Sequence, residues 1–159
     1  MTASDRSAQS LAQRLALLLP VLLLGGAYIS QYGFGLYPCE MCWWQRWPHF
    51  AALGFALLSL AAPPKRLWIA IAAGGIVTSG LIGVFHAGVE YGLWEGITGC
   101  AMPAAAGGDL LDSIFAQPLI RCDVAQWSLL GISLAGFNAI ISCVGGFGIW
   151  ALLAKKDKT

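Results

Sequence analysis

Four long apolar runs decide what this chain can fold into. They extend from about Leu15 to Tyr32, Trp44 to Ala62, Leu67 to Val89 and Ser128 to Ala154. About 20 predominantly apolar residues cross a bilayer. None of the runs carries a full charge in its middle. Lipid offers no hydrogen bonds, so each run satisfies its backbone only as a helix. Composition supports a membrane setting. The 159 residues are 58% hydrophobic and 11% charged, against about 45–50% and about 25% in an ordinary soluble domain. Such a chain is too apolar for disorder, and it has too little polar sequence to coat a small soluble core. The expected fold is therefore an all-α membrane protein, with residues 1–159 forming one integral domain built as a four-transmembrane-helix bundle.

Charge placement orients the bundle. Arg6, Arg14, Lys65, Arg66, Lys155, Lys156 and Lys158 fall on the side of the two termini and the Pro63–Pro64 turn. The other side keeps Arg46 and Arg121 together with Glu40, Glu90, Glu95, Asp109, Asp112 and Asp123. Both termini are expected in the cytoplasm, with two loops outside, at about 33–43 and 90–127. The first run has signal-peptide features in Arg6, Arg14 and the small residues Gly25-Gly26-Ala27. Tyr28 and Tyr32 at its end suit a retained interfacial anchor. The net charge of +1 argues against nucleic-acid binding, which needs a basic patch or stripe. Within the long outer loop, Asp109 is placed to cap a short helix through Phe115 that would lie on the membrane surface. Gly74, Gly75, Gly80 and Gly83 in the third run suit close helix packing.

Four of the five cysteines fall on the outer side, where disulfides form and persist. Cys39 and Cys42 form a C-x-x-C pair immediately before the second run. Cys100 and Cys122 lie in the long loop. A helix N-terminus or a nearby cation raises thiolate character, and Cys42 has the prospect of both, since Arg46 follows it at i+4. An arginine this close to hydrocarbon is costly and points to a functional role. Pro48 fits the first turn of a helix but kinks an interior, which favours a helix start near Trp44. Two structural disulfides are the competing reading of the cysteines. A bridge closing so short a loop as Cys39–Cys42 is a poor staple. Haem attachment would need histidine after the second cysteine, where Trp43 stands. Zinc would want a second close pair, whereas Cys100 and Cys122 are far apart; no metal is expected. Cys143 lies inside the fourth run and reads as a small buried hydrophobe. His86, one turn before Glu90, is a candidate site residue, since a carboxylate can orient or charge an imidazole. His49 reads more simply as a packing residue.

The stretch Tyr37-Pro38-Cys39-Glu40-Met41-Cys42-Trp43-Trp44-Gln45-Arg46 resembles the DsbB family of disulfide bond formation proteins. So do the loop pair Cys100 and Cys122 and the segment from Cys122 through Trp127 to Ala135. The resemblance runs from about residue 14 to 154. It implies a bacterial inner-membrane thiol oxidase with periplasmic cysteine loops and a periplasmic thiol carrier, similar to DsbA, as partner. It further implies that the reduced carrier attacks a Cys100–Cys122 disulfide and that electrons pass to Cys39–Cys42. Cys42 then reduces a bound quinone (ubiquinone or menaquinone) beside Arg46, with His86 on the quinone side. A vitamin K epoxide reductase-like enzyme is the nearest alternative, although its C-x-x-C normally lies late in the chain. A non-enzymatic membrane scaffold with two structural disulfides is the alternative from another class.

Overall fold

The computed structural model describes residues 3–98 and 120–155. Within them are four helices: α1 (Ala3–Gly33), α2 (Glu40–Ala61), α3 (Lys65–Glu90) and α4 (Leu134–Ala154). A two-stranded antiparallel ribbon, β1 (Ser128–Leu129) and β2 (Ile132–Ser133), leads into α4. Cys100 and the short helix expected over Asp109–Phe115 lie outside the described residues.

Three helices are long and apolar enough to cross a membrane: α1 from Asp5, α3 and α4. The second is long enough at 22 residues, but Gln45, Arg46, Pro48 and His49 lower its hydropathy. Of these, Gln45, Arg46 and His49 line the cavity described below. Two boundaries differ from the sequence expectation. The second helix begins at Glu40 rather than near Trp44, because the Cys39 sulfur caps it by accepting the Cys42 N–H at 3.3 Å. Pro48 therefore lies past the first turn. The fourth run is not helical from Ser128. Its first six residues form the ribbon, whose turn places Leu130 (φ 53°) and Gly131 (φ 79°) in the left-handed region, the requirement of a two-residue type I′ hairpin. Ser133 then caps α4 by accepting the Gly136 N–H at 3.1 Å.

The third helix is central, packing along α2 and α4, while α1 lies more lightly across α2 and α4. Small residues permit this approach. A Cβ on Gly80 would stand 2.7 Å from the Cys143 sulfur, and one on Gly83 3.0 Å from the Ala135 carbonyl oxygen. Gly75 is equally tight against α2, whereas Gly74 makes only ordinary contact. The core divides in two. Ala16, Ala52, Ala56, Ile69, Ile76 and Ile149 are among the residues of a large aliphatic cluster. Cys39, Met41, Val89 and Cys122 form a second, with Cys42, Phe85 and Ile120 packed against it. The third helix stops beside that second cluster in a Schellman motif. The Leu93 N–H bonds to the Gly88 carbonyl and the Gly92 N–H to the Val89 carbonyl. Gly92 supplies the required positive φ of 69°.

Candidate functional site

The second cluster brings together cysteines that are distant in sequence. Cys39 ends the loop between α1 and α2, Cys42 sits in the first turn of α2, and Cys122 arrives from the chain between α3 and the ribbon. The Cys39 and Cys42 sulfurs are 3.1 Å apart in the dithiol form. The Cys39 sulfur, the Cys122 sulfur and a ring nitrogen of His86 all lie within 4.8 Å of one another. Gln126 ties the returning loop to the first one by donating to the Tyr37 carbonyl at 2.7 Å. Thr98 donates to the Cys122 sulfur at 3.5 Å.

The two thiols of the C-x-x-C pair are unequal. Cys39 donates its proton toward Cys42, and that bond together with burial pushes Cys39 up to about 12. The same bond draws Cys42, which precedes the apolar stretch, below its ordinary value. The His86 contact with the Cys39 sulfur works the other way and is outweighed by burial and the Cys42 bond. Cys42 thus carries the first negative charge. Burial pushes Cys122 up.

Arg46 does not act on Cys42 as its spacing suggested. Its guanidinium donates to the Gln31 side-chain oxygen at 2.7 Å and to the Ala27 carbonyl at 3.3 Å. It also lies over the rings of Tyr28 and Trp43, at 4.9 and 5.0 Å from their centroids. The thiolate character of Cys42 comes from Cys39 instead. Arg46 is only 6% exposed. A cation this buried is costly unless hydrogen-bonded, and here two oxygens and two ring faces from α1 and α2 hold it.

A cavity of about 240 Å³ opens beside these groups. Its wall includes Leu22, Leu23 and Ala27 of α1, Cys42, Arg46 and His49 of α2, His86 and Glu90 of α3, and Phe137 of α4. Apolar walls with a few convergent polar groups are the usual form of a small-molecule site. His86 is buried, with Nε2 3.6 Å from the Cys39 sulfur and 3.7 Å from a Glu90 carboxylate oxygen. Glu90 also accepts a hydrogen bond from Ser133, the cap of α4. Among the described residues Cys39, His86 and Cys122 are the donors close enough to share a metal ion.

The family described as disulfide bond formation protein DsbB matches residues 9–153. This chain belongs to the DsbB family. Disulfide bond formation protein B of Verminephrobacter eiseniae is 29% identical, covering 95% of this chain and 89% of its own. An uncharacterised protein of Rickettsia prowazekii is 23% identical, covering 77% of this chain and 74% of its own. No solved structure gives a significant match. Membership makes the chain a membrane protein of disulfide bond formation and implies a disulfide-forming oxidoreductase.

In this DsbB-family chain the structure gathers five of the six expected site residues: Cys39, Cys42, Cys122, Arg46 and His86. The sixth, Cys100, is outside the described residues. Gln45 and Asn138 were missed. Asn138 donates to the Gln45 side-chain oxygen at 2.8 Å, and Gln45 reaches His86 at 2.8 Å. The signal was available, since uncharged amides inside apolar runs need partners. His49, which also lines the cavity, joins that network by donating to Asn138 at 3.0 Å.

Proposed function

We propose that this protein oxidises a soluble dithiol carrier on the outer side of the bacterial inner membrane and passes the electrons to a membrane quinone. Four spans support the site. At about 1.5 Å per residue, α2 from Trp44 onward reaches about 27 Å, within the range of about 17–25 residues that cross a bilayer. The basic termini then face the cytoplasm and the cysteine loops the periplasm.

The observation that carries the reading is the position of Cys122 against Cys39, next to a cavity walled by Cys42. A carrier thiolate attacks Cys100 of a Cys100–Cys122 disulfide, and Cys122 leaves as thiolate. Cys122 then attacks the Cys39 sulfur of the Cys39–Cys42 disulfide. The Cys122–Cys39 bond forms, the Cys39–Cys42 bond breaks, and Cys42 leaves as thiolate. The lower the pKa of the departing thiol, the faster it leaves, and Cys42 is the lowered member of the pair. The carrier's second thiol releases oxidised carrier from Cys100. Cys100 then attacks Cys122, restoring the loop disulfide and freeing Cys39. The result is one carrier disulfide made and one Cys39–Cys42 dithiol holding two electrons.

The cavity fits a quinone ring in its chemistry, with apolar walls, a buried guanidinium and a thiol at the wall. A quinone held there supplies the acceptor of two electrons and two protons. Arg46 offers positive charge where negative charge develops, and its clamp from Tyr28, Trp43 and Gln31 sets its direction in advance. His86 lines the same cavity.

Purified protein, a reduced thiol carrier and quinone, followed by quinone absorbance, test the reading. One quinol per carrier disulfide is expected, with loss of turnover in Cys42→Ser and in Cys122→Ser. Full turnover in either variant would overturn it.

A further inference from the structure

Three helices contribute to a buried polar network beneath the thiols, and two backbone carbonyls fix its direction. A carbonyl oxygen only accepts. Asn138 faces the Ser79 carbonyl at 3.2 Å, so that end of its side chain is the NH2 group. The same NH2 lies 2.8 Å from Gln45, whose facing atom is therefore the amide oxygen. The Met41 carbonyl, 3.2 Å from the other end of the Gln45 amide, requires the same assignment independently. The Gln45 NH2 then points at His86 Nδ1, 2.8 Å away. Nδ1 must accept, so the neutral imidazole carries its proton on Nε2. That nitrogen faces the Cys39 sulfur at 3.6 Å and Glu90 at 3.7 Å.

We propose that Gln45 and Asn138 are positioning residues that lock His86 in the Nε2–H form, so that its ring donates toward the Cys39 sulfur and Glu90. Turning the Gln45 amide would set its oxygen against the Met41 carbonyl. Turning Asn138 with it would set a second oxygen against the Ser79 carbonyl. Each reversal leaves buried groups facing like groups. The chemical consequence rests on the function proposed above. Cys39 is a thiolate only when negative charge on its buried sulfur is relieved, and His86 works in that direction on Cys39. A His86 locked as donor is also without a lone pair on Nε2. The donor set Cys39, His86 and Cys122 is therefore held in a form suited to thiol exchange rather than to binding a metal ion.

The chain has two histidines, so nitrogen-15 magnetic resonance of histidine-labelled protein in detergent micelles gives two imidazoles, assigned by the signal that disappears in a His86→Phe variant. The neutral His86 ring is expected in the Nε2–H form in the unsubstituted protein. Asn138→Asp accepts only, which turns the Gln45 amide and moves the His86 proton to Nδ1 or charges the ring. Gln45→Glu does the same at one step closer. Ser142→Ala touches Asn138 from its other side and leaves the His86 form unchanged. A His86 proton on Nδ1 in the unsubstituted protein overturns the proposal, even should every variant misfold. An unmoved proton in both folded acidic variants overturns the roles of Gln45 and Asn138. The spectrum needs no turnover, so failure here is distinct from failure of quinone reduction.

Discussion

Reducing the protein and alkylating it with iodoacetamide should label Cys42 well before Cys39. Cys39 is raised from an ordinary 9.0 to about 12, so its thiolate fraction at neutral pH is about a thousandfold below that of an ordinary thiol. Each thiolate grows more nucleophilic as its pKa rises, with a Brønsted coefficient of about 0.4–0.5, which leaves a net deficit of about 30- to 60-fold. Cys42 lies below the ordinary value, so its lead over Cys39 should be at least that large. Tandem mass spectrometry of the shared peptide reads both sites over a time course. Burial of Cys39 favours the same order, and the pH profile separates the two causes. Ionisation predicts that the Cys42 rate levels off at a lower pH than that of an ordinary thiol, while the Cys39 rate is still rising at pH 10. A Cys39→Ala variant removes the donor that favours the Cys42 thiolate and should slow Cys42 at neutral pH. Equal labelling, or Cys39 first, would refute the assignment of Cys42 as the thiolate.

Arg46→Ala should raise the apparent quinone KM about tenfold or more, the size expected for one lost charge-assisted hydrogen bond, as read from initial rates against quinone concentration. It should leave the Cys42 alkylation rate unchanged, because Arg46 is engaged with Gln31, Ala27, Tyr28 and Trp43. Gly80→Val should destabilise the α3–α4 contact by about 1–3 kcal/mol, typical of an overpacked interior, measured by thermal unfolding in detergent. Its Cβ would meet both the Cys143 sulfur and the Cys143 backbone nitrogen.

The parts of this molecule set by lipid were legible from the sequence. Each apolar run became mainly helix, and three of these helices are long and apolar enough to cross a membrane, where a chain has few other ways to satisfy its backbone. Cys39, Cys42 and Arg46 were legible because their spacing and placement are chemically unusual. What stayed hidden depends on three-dimensional partners. The spacing of Cys42 and Arg46 suggested a thiolate–guanidinium pair, yet α1 takes the guanidinium with Tyr28, Ala27 and Gln31, residues 15 to 19 positions away. Pro48 argued for a late helix start, but a cap made by the Cys39 sulfur outweighed it. The hairpin at Leu130-Gly131 sits in a run that is apolar throughout, where hydropathy does not distinguish strand from helix. Gln45 and Asn138 are 93 positions apart, and their hydrogen bond exists only once α2 and α4 both pack on α3.

The relay from the outer loop to the C-x-x-C pair rests on Cys122 reaching Cys39, and disulfide mapping of a Cys42→Ser variant tests it most directly. Without Cys42, the Cys39 thiolate attacks Cys122 of the loop disulfide, and Cys100 leaves as the thiol. Acid-quenched protein, digested and mapped by mass spectrometry, should yield a Cys39–Cys122 disulfide and a Cys100 thiol. A loop disulfide left wholly intact, or Cys39 joined to Cys100 instead, would contradict the relay.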